Sequence, residues 1–229
     1  MVFVRAQEGP PNIGDWKNPF TVQYFDEKGN MMIRSSGPVA WRCNNPGNLK
    51  KSPYSIGRDR RSIGIAGYGE NIYAVYPDYE TGHEALVVML KGSKYHHLSL
   101  RAAMKRYDAS NPGYIDTIVS MTGFDPERTI NSLTDHEFIR FWKAIEKVEK
   151  WQIGREDFIE KWYISGVHKK RGVIIEYLIA KTNGDVWVKR DEALKLGENH
   201  RLHAVMVHLK NGTVYIRPER GAHRFEILT

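Results

Sequence analysis

Thr134-Asp135-His136-Glu137-Phe138-Ile139-Arg140-Phe141-Trp142-Lys143-Ala144-Ile145-Glu146-Lys147-Val148-Glu149-Lys150 is the most fully specified helix in the chain. Thr134 and Glu137 stand three apart at its start, the spacing of a capping box in which each side chain satisfies the other's backbone N–H. Phe138, Phe141, Trp142, Ile145 and Val148 recur at helical spacing, which predicts one apolar stripe over residues 135–150. At about 100° per residue, with Ile145 set at zero, Glu149 falls at about 40°, inside the stripe, and Glu146 at about 100°, on its edge. Lys143, Lys147 and Lys150 take the solvent side. A carboxylate among apolar residues must be paired or must face a cleft, because burying a lone charge is prohibitive. Set against aromatic surface its pKa rises, and it then holds a proton at neutral pH, as a general acid in glycoside cleavage must. The plainer alternative is that the stripe ends before Glu149 and the side chain reaches solvent or an ion pair.

Three further helices precede this one. Tyr79–Lys91 follows Pro77 with Asp78 as N-cap and stops at Gly92, Leu100–Tyr107 follows the cap Ser99, and Pro112–Met121 has Asn111 as cap and closes at Gly123. In the leader, Phe20–Phe25 and Met31–Ser35 read as short strands around the turn residues 26–30, after the breaker Pro10-Pro11. Beyond Ser165 the signal changes to alternation. Strands are predicted at Val173–Ala180, Val186–Lys189, His203–Leu209 and Thr213–Arg217, with a short helix at Asp191–Leu196 and Asn-Gly turns at 183–184 and 211–212. The expected organisation is an N-terminal arm or hairpin over 1–37, a main domain over 38–164 and a small, basic, β-rich accessory domain over 165–229.

Composition narrows the classes. The chain has 229 residues, 41% hydrophobic and 27% charged, which is ordinary globular usage and neither disordered nor fibrous. No run approaches the eighteen apolar residues of a membrane span, and the beginning reads as lacking a Sec-type signal, so synthesis in the cytoplasm without membrane insertion is expected. A single cysteine, Cys43, excludes an intramolecular disulfide and a cysteine-rich metal site. Formal charge is +7, and 165–229 holds twelve Lys/Arg against seven Asp/Glu, leaving only +2 to the rest. That excess favours an anionic partner, whether nucleic acid, membrane surface or an acidic polymer such as bacterial wall.

The other constellation is Trp41-Arg42-Cys43-Asn44-Asn45-Pro46-Gly47-Asn48-Leu49. Three amides with Pro and Gly make a rigid turn offering paired donors and acceptors, the chemistry that reads sugar hydroxyls and N-acetyl groups. The same asparagines would equally brace a loop through its own backbone. His200-x-x-His203-x4-His208 lacks the spacing of a closed metal site, and Asn71–Tyr76 alternates as a strand. Cys43 with His83, His96 or His97 would form a nucleophile–base pair, although no spacing supports one. No phosphate loop, zinc finger or RNA-binding signature is present.

Arg42-Cys43-Asn44-Asn45-Pro46-Gly47-Asn48-Leu49, Ile63-Gly64-Ile65-Ala66-Gly67, Ala74-Val75-Tyr76-Pro77-Asp78-Tyr79-Glu80-Thr81-Gly82 and Arg106-Tyr107 together resemble a family of phage virion-associated and secreted bacterial proteins with an Arg-Asn-Asn-Asn-Pro-Gly-Asn block, often linked to lysozyme-like wall hydrolases. The match covers roughly 31–152. Ala144-Ile145-Glu146-Lys147-Val148-Glu149 is similar to the helix end that carries the catalytic glutamate of lysozyme-like transglycosylases. Here it follows the asparagine block instead of preceding it, which implies a circularly permuted lysozyme fold. Cys43 stands where the family has its first asparagine, and Asp108-Ala109-Ser110-Asn111 where relatives carry a Pro-containing segment. The resemblance implies delivery by phage particles or by contractile secretion machines such as type VI, a carrier protein, and an immunity or inhibitor partner.

The expected fold is therefore α+β, a mainly helical, lysozyme-like domain joined to a small β-rich one. The expected function is a peptidoglycan glycan-strand hydrolase, a muramidase or lytic transglycosylase, acting on the periplasmic wall after export or injection. Glu149 would be the catalytic acid, with Asn44, Asn45, Asn48 and Tyr107 binding substrate. Glu70, Asp108 and Asp116 are candidates for a second carboxylate, and a transglycosylase using the substrate's own groups needs none. No cofactor or metal is implied, and no nucleic-acid partner is expected. The rivals are a peptide-stem amidase built on Cys43 and a non-catalytic wall-binding or structural module.

Overall fold

The computed structural model describes residues 2–10, 20–50, 61–68, 71–181, 184–199, 201–219 and 226–228. Its contacts group the chain into two units, Met1–Glu27 with Met32–Asp157, and Lys28–Met31 with Phe158–Thr229.

The first unit begins with strands β1 (Phe3–Gly9), β2 (Thr21–Asp26) and β3 (Met31–Ser35). A one-turn helix α1 (Val39–Arg42) leads into the asparagine block, and a hairpin of β4 (Gly64–Tyr68) and β5 (Asn71–Val75) follows. Helices α2 (Tyr79–Lys91), α3 (Leu100–Tyr107), α4 (Tyr114–Thr122) and α5 (Asp135–Val148) come next, with a 3-10 turn at Ile130–Ser132 before α5. Strand β6 (Arg155–Ile159) carries the chain out of the unit and completes a four-stranded sheet of order β1-β2-β3-β6.

Two large cores and a small cluster of Ala74, Tyr76 and Ala85 hold this unit. Leu86 and Leu90 of α2, Leu100 and Met104 of α3, Ile118 of α4, and Phe141 and Ile145 of α5 pack into one apolar cluster, all but sealed from solvent. Val22, Tyr24, Met32, Ala66, Val75 and Cys43 form the other, where the strands meet the block. The ends of the helices follow their local chemistry. Asp78 accepts from Thr81 N–H at 2.7 Å and Ser99 from Ala102 N–H at 3.2 Å. At α5 both bonds of the capping box form, and Arg128 clamps Glu137 with two further bonds of 2.7 and 2.9 Å. Thr134→Ala removes one acceptor of the box and is expected to lower stability by about 1 kcal/mol, measured by urea unfolding. The expected Asn111 cap of α4 is corrected: Gly113 occupies the N-cap without a side-chain bond, and Asn111 contributes only its carbonyl, which accepts from Tyr114 N–H.

The second unit is built on a sheet of order β12-β7-β8-β9, from β7 (Tyr163–Lys170), β8 (Val173–Lys181), β9 (Gly184–Lys189) and β12 (Glu226–Leu228). Helix α6 (Arg190–Glu198) and the hairpin of β10 (Ala204–His208) and β11 (Val214–Pro218) cover its core of Ile164, Val167, Tyr177, Ile179, Leu202 and Ile216. Gly212 takes φ +81° and donates to Leu209 O at 3.0 Å, so the turn between β10 and β11 spans Leu209–Gly212, with Asn211 outside the left-handed region. Asn183 of the other expected turn lies outside the described residues.

One expectation is overturned. Strand makes up 36% of the structure and helix 31%, in four small sheets, so the chain is not mainly helical and the lysozyme-like fold class, permuted or otherwise, is withdrawn. Part of the excess strand lies where few residues are buried: β1 buries one residue in seven, Ala6, and β6 buries none, whereas β7, also not expected, buries Ile164 and Val167. Strands such as β1 and β6 are held by backbone pairing and leave no period-2 signal in the sequence.

Candidate active site

The asparagine block is a loop wired to the strand beside it. Asn44 and Asn48 adopt φ +48° and +46°, the left-handed region that asparagine tolerates better than other side chains. Asn44 Nδ2 donates to the carbonyls of Tyr76 and Pro77 at 3.1 and 3.0 Å, and its Oδ1 accepts from Arg34. Asn45 Nδ2 donates to Leu49 O and Ala74 O at 3.0 and 2.9 Å, while its Oδ1 accepts from Leu49 N–H at 2.8 Å. Both side chains are buried, so the expected sugar-binding roles of Asn44 and Asn45 are corrected: their amides are taken up by backbone groups and, at Asn44 Oδ1, by Arg34. Arg42 is buried as well, with its guanidinium over the Phe20 ring and donating to Phe20 O.

Asn48 differs from its neighbours. Its Nδ2 donates to Glu149 Oε2 at 2.7 Å, across 101 residues of sequence. Glu149 is the C-cap of α5, just where Lys150 turns the chain at φ +56°. Tyr114 of α4 donates its hydroxyl to Glu149 Oε1 at 2.7 Å, so each carboxyl oxygen has one donor. These partners fix the rotamer and leave the group half-buried at the wall of a cleft of about 350 Å³. Glu149, Asn48, Tyr73, Tyr95, Tyr107, Asp108 and Ser110 all line it. Tyr107 donates its hydroxyl to Gly47 O, which ties the loop to α3 while the ring faces the cleft.

Desolvation by this aromatic wall raises the Glu149 pKa above the ordinary carboxylate range, and the charge of Asp108 adds to the effect, whereas the bonds from Tyr114 and Asn48 oppose it. Burial likewise drives the phenols of Tyr107 and Tyr114 well above their usual value, which keeps both as neutral donors. The negative end of the α5 dipole also disfavours the ionised carboxyl. The arrangement favours the protonated form of the carboxyl and leaves an open cleft before it.

Of the three candidates for a second carboxylate, Asp108 shares the cleft, Asp116 is exposed on α4 and does not line it, and Glu70 lies outside the described residues. Glu146, one turn before Glu149, belongs to a cluster that sequence reasoning missed. It accepts from Tyr79 at 2.9 Å and meets His83 Nδ1 at 3.0 Å, with Trp142 edge-on to His83 and Trp151 edge-on to Tyr79. The available signal was that Tyr79 and His83 stand four apart on α2, opposite the edge of the α5 stripe.

Cys43 is fully buried, and burial pushes its thiol up to about 12. Of the nominated histidines, His83 is engaged with Glu146, His96 with the Gly92 carbonyl, and His97 is exposed. His200 lies outside the described residues, and among those described no group of three or more His, Cys, Asp or Glu side chains could hold a metal ion. Among them, too, no helix is long and apolar enough to cross a membrane. No protein-family model matches the chain, and no curated protein matches it.

Proposed function

We propose that this protein cleaves the glycan strands of peptidoglycan, with Glu149 as the general acid. One observation carries the reading: a carboxyl with a raised pKa, fixed by Tyr114 and Asn48 and set in an aromatic-walled cleft. In the reaction the Glu149 proton passes to the glycosidic oxygen as the C1–O bond breaks, so that the leaving sugar departs as an alcohol instead of an alkoxide. The tyrosines of the cleft suit sugar rings, which offer apolar faces for stacking and hydroxyls for hydrogen bonds. The surplus of Lys and Arg favours association with an anionic wall polymer. Delivery into the periplasm through a phage particle or secretion machine, with a carrier and an immunity partner, belongs to the same proposal and follows from the resemblance of the asparagine block.

The amidase rival is poorly served by a thiol that is buried and held up to about 12, with His83 and His96 engaged elsewhere. The test is digestion of purified sacculi by the wild-type protein and by Cys43→Ser, with soluble products identified by mass spectrometry. Both proteins are expected to release disaccharide-peptides. Free stem peptides lost in Cys43→Ser would move the chemistry to the thiol, and pelleting with sacculi without any release would favour a binding module.

A further inference from the structure

Asp108 caps the C-terminus of α3 and faces the same cleft as Glu149. Its Oδ1 accepts from Ser110 N–H at 3.1 Å and from the Ser110 hydroxyl at 2.5 Å. Oδ2 has no hydrogen-bond partner among the described residues. A carboxylate held by one oxygen is fixed in rotation, and its other oxygen is left to receive a proton. The group is half-buried, and its charge acts on Glu149 and on Tyr73, Tyr107 and Tyr114 around the cleft. Glu146 lacks these properties, since it is engaged by Tyr79 and His83 and does not line the cleft.

Resting on the reading of Glu149 as general acid, we propose that Asp108 is the second carboxylate of the cleft, the base that takes a proton from the attacking water. The strand is then hydrolysed, not closed on one of its own hydroxyls. In the balanced step Glu149 gives its proton to the leaving oxygen and the C1–O bond breaks. The water oxygen bonds to C1, and the water proton goes to Asp108 Oδ2. One water is consumed, one sugar gains a reducing end and the other a free hydroxyl. Solvent exchange then returns a proton to Glu149 and removes the one on Asp108. Ser110 is a positioning residue in this scheme, holding Oδ1 so that Oδ2 points to a fixed place.

The test uses the whole chain on sacculi in ¹⁸O-labelled water. Wild-type fragments are expected to carry one ¹⁸O at each new reducing end. Asp108→Asn keeps the acceptor for Ser110 but cannot act as a base, and it should release fragments on the order of 100-fold more slowly while pelleting with sacculi as the wild type does. Asp108→Ala with added azide should regain rate and yield a glycosyl azide of inverted configuration, a rescue that a merely structural residue would not give. Anhydro ends without ¹⁸O, a retained anomer, or wild-type rates from a folded Asp108→Asn protein would overturn the assignment to Asp108 and leave Glu149 standing. Absence of glycan fragments from the wild-type protein would overturn both.

Discussion

Glu149→Gln is expected to reduce release of glycan fragments from sacculi by on the order of 1000-fold while leaving the protein folded. Glutamine keeps the shape of the side chain and an oxygen for the Tyr114 hydroxyl, which is 2.7 Å from Oε1 in the wild type. Asn48 can turn its amide to accept from the new Nε2, using an Oδ1 that is buried and without a hydrogen-bond partner among the described residues. What the variant lacks is an ionisable proton to give to the leaving oxygen. The stability of the two proteins should separate with pH in a direction set by the raised pKa. Burial favours the protonated carboxyl in the folded state, so the stabilisation from that proton is full below the ordinary value of 4.5 and is lost as pH rises through the raised folded value. Above that folded value the ionised Glu149 opposes folding, and Glu149→Gln should there be as stable as the wild type or more so, the difference narrowing as pH falls towards the ordinary 4.5. Wild-type activity should fall as pH rises through the same folded value. Denaturant unfolding across pH and initial rates of fragment release measure the two curves. A Gln variant that retains full activity would remove Glu149 from the chemistry.

That the place of Glu149 was legible in advance, while most of its surroundings were not, has a physical reason. The angular position of Glu149 depends only on local helix geometry, and α5 announces that geometry through Thr134, Glu137 and a five-residue apolar stripe. The bounds of α2 and α3 were readable for the same reason, through Asp78, Gly92 and Ser99. The asparagines are another matter. A side-chain amide in a loop has the same local sequence whether it faces a sugar or its own backbone, and the acceptors that decide between these for Asn44 and Asn45 are Ala74, Tyr76 and Pro77, about thirty residues away. Only Asn48 reaches the acid, and its φ of +46° is set by the turn, not by any pattern. Part of the strand was hidden because β1 and β6 bury almost no side chains and owe their place to pairing. Counting periodic segments therefore overweighted helix.

Gly82→Ala should produce the largest loss of stability among single methyl additions to α2, with a sign opposite to what helix propensity gives. On an exposed helix face alanine is favoured over glycine by about 1 kcal/mol. Gly82 is instead buried where α2 presses on the asparagine block: a Cβ there would fall on the Asn44 carbonyl and lie 3.1 Å from Pro46 Cδ. The obstacle is backbone, and that backbone is immobilised by the bonds of Asn44 and Asn45, so neither side can yield cheaply. Overpacking of this kind costs about 3 kcal/mol, which corresponds to a drop of roughly 10 °C in the unfolding midpoint of a domain this size. Relief of the clash would push the loop away from α2. The same loop carries Asn48, whose amide holds Glu149 at 2.7 Å, so fragment release should also fall, at a temperature where the variant is still folded. A displacement of about 1 Å at a catalytic group costs on the order of 100-fold in rate. Calorimetry and sacculus digestion on one preparation measure both. A stability loss without a rate loss would mean that the loop yields at Pro46 and leaves Asn48 in place, whereas a gain in stability would mean that the contact between α2 and the Asn44 carbonyl is looser than the geometry requires.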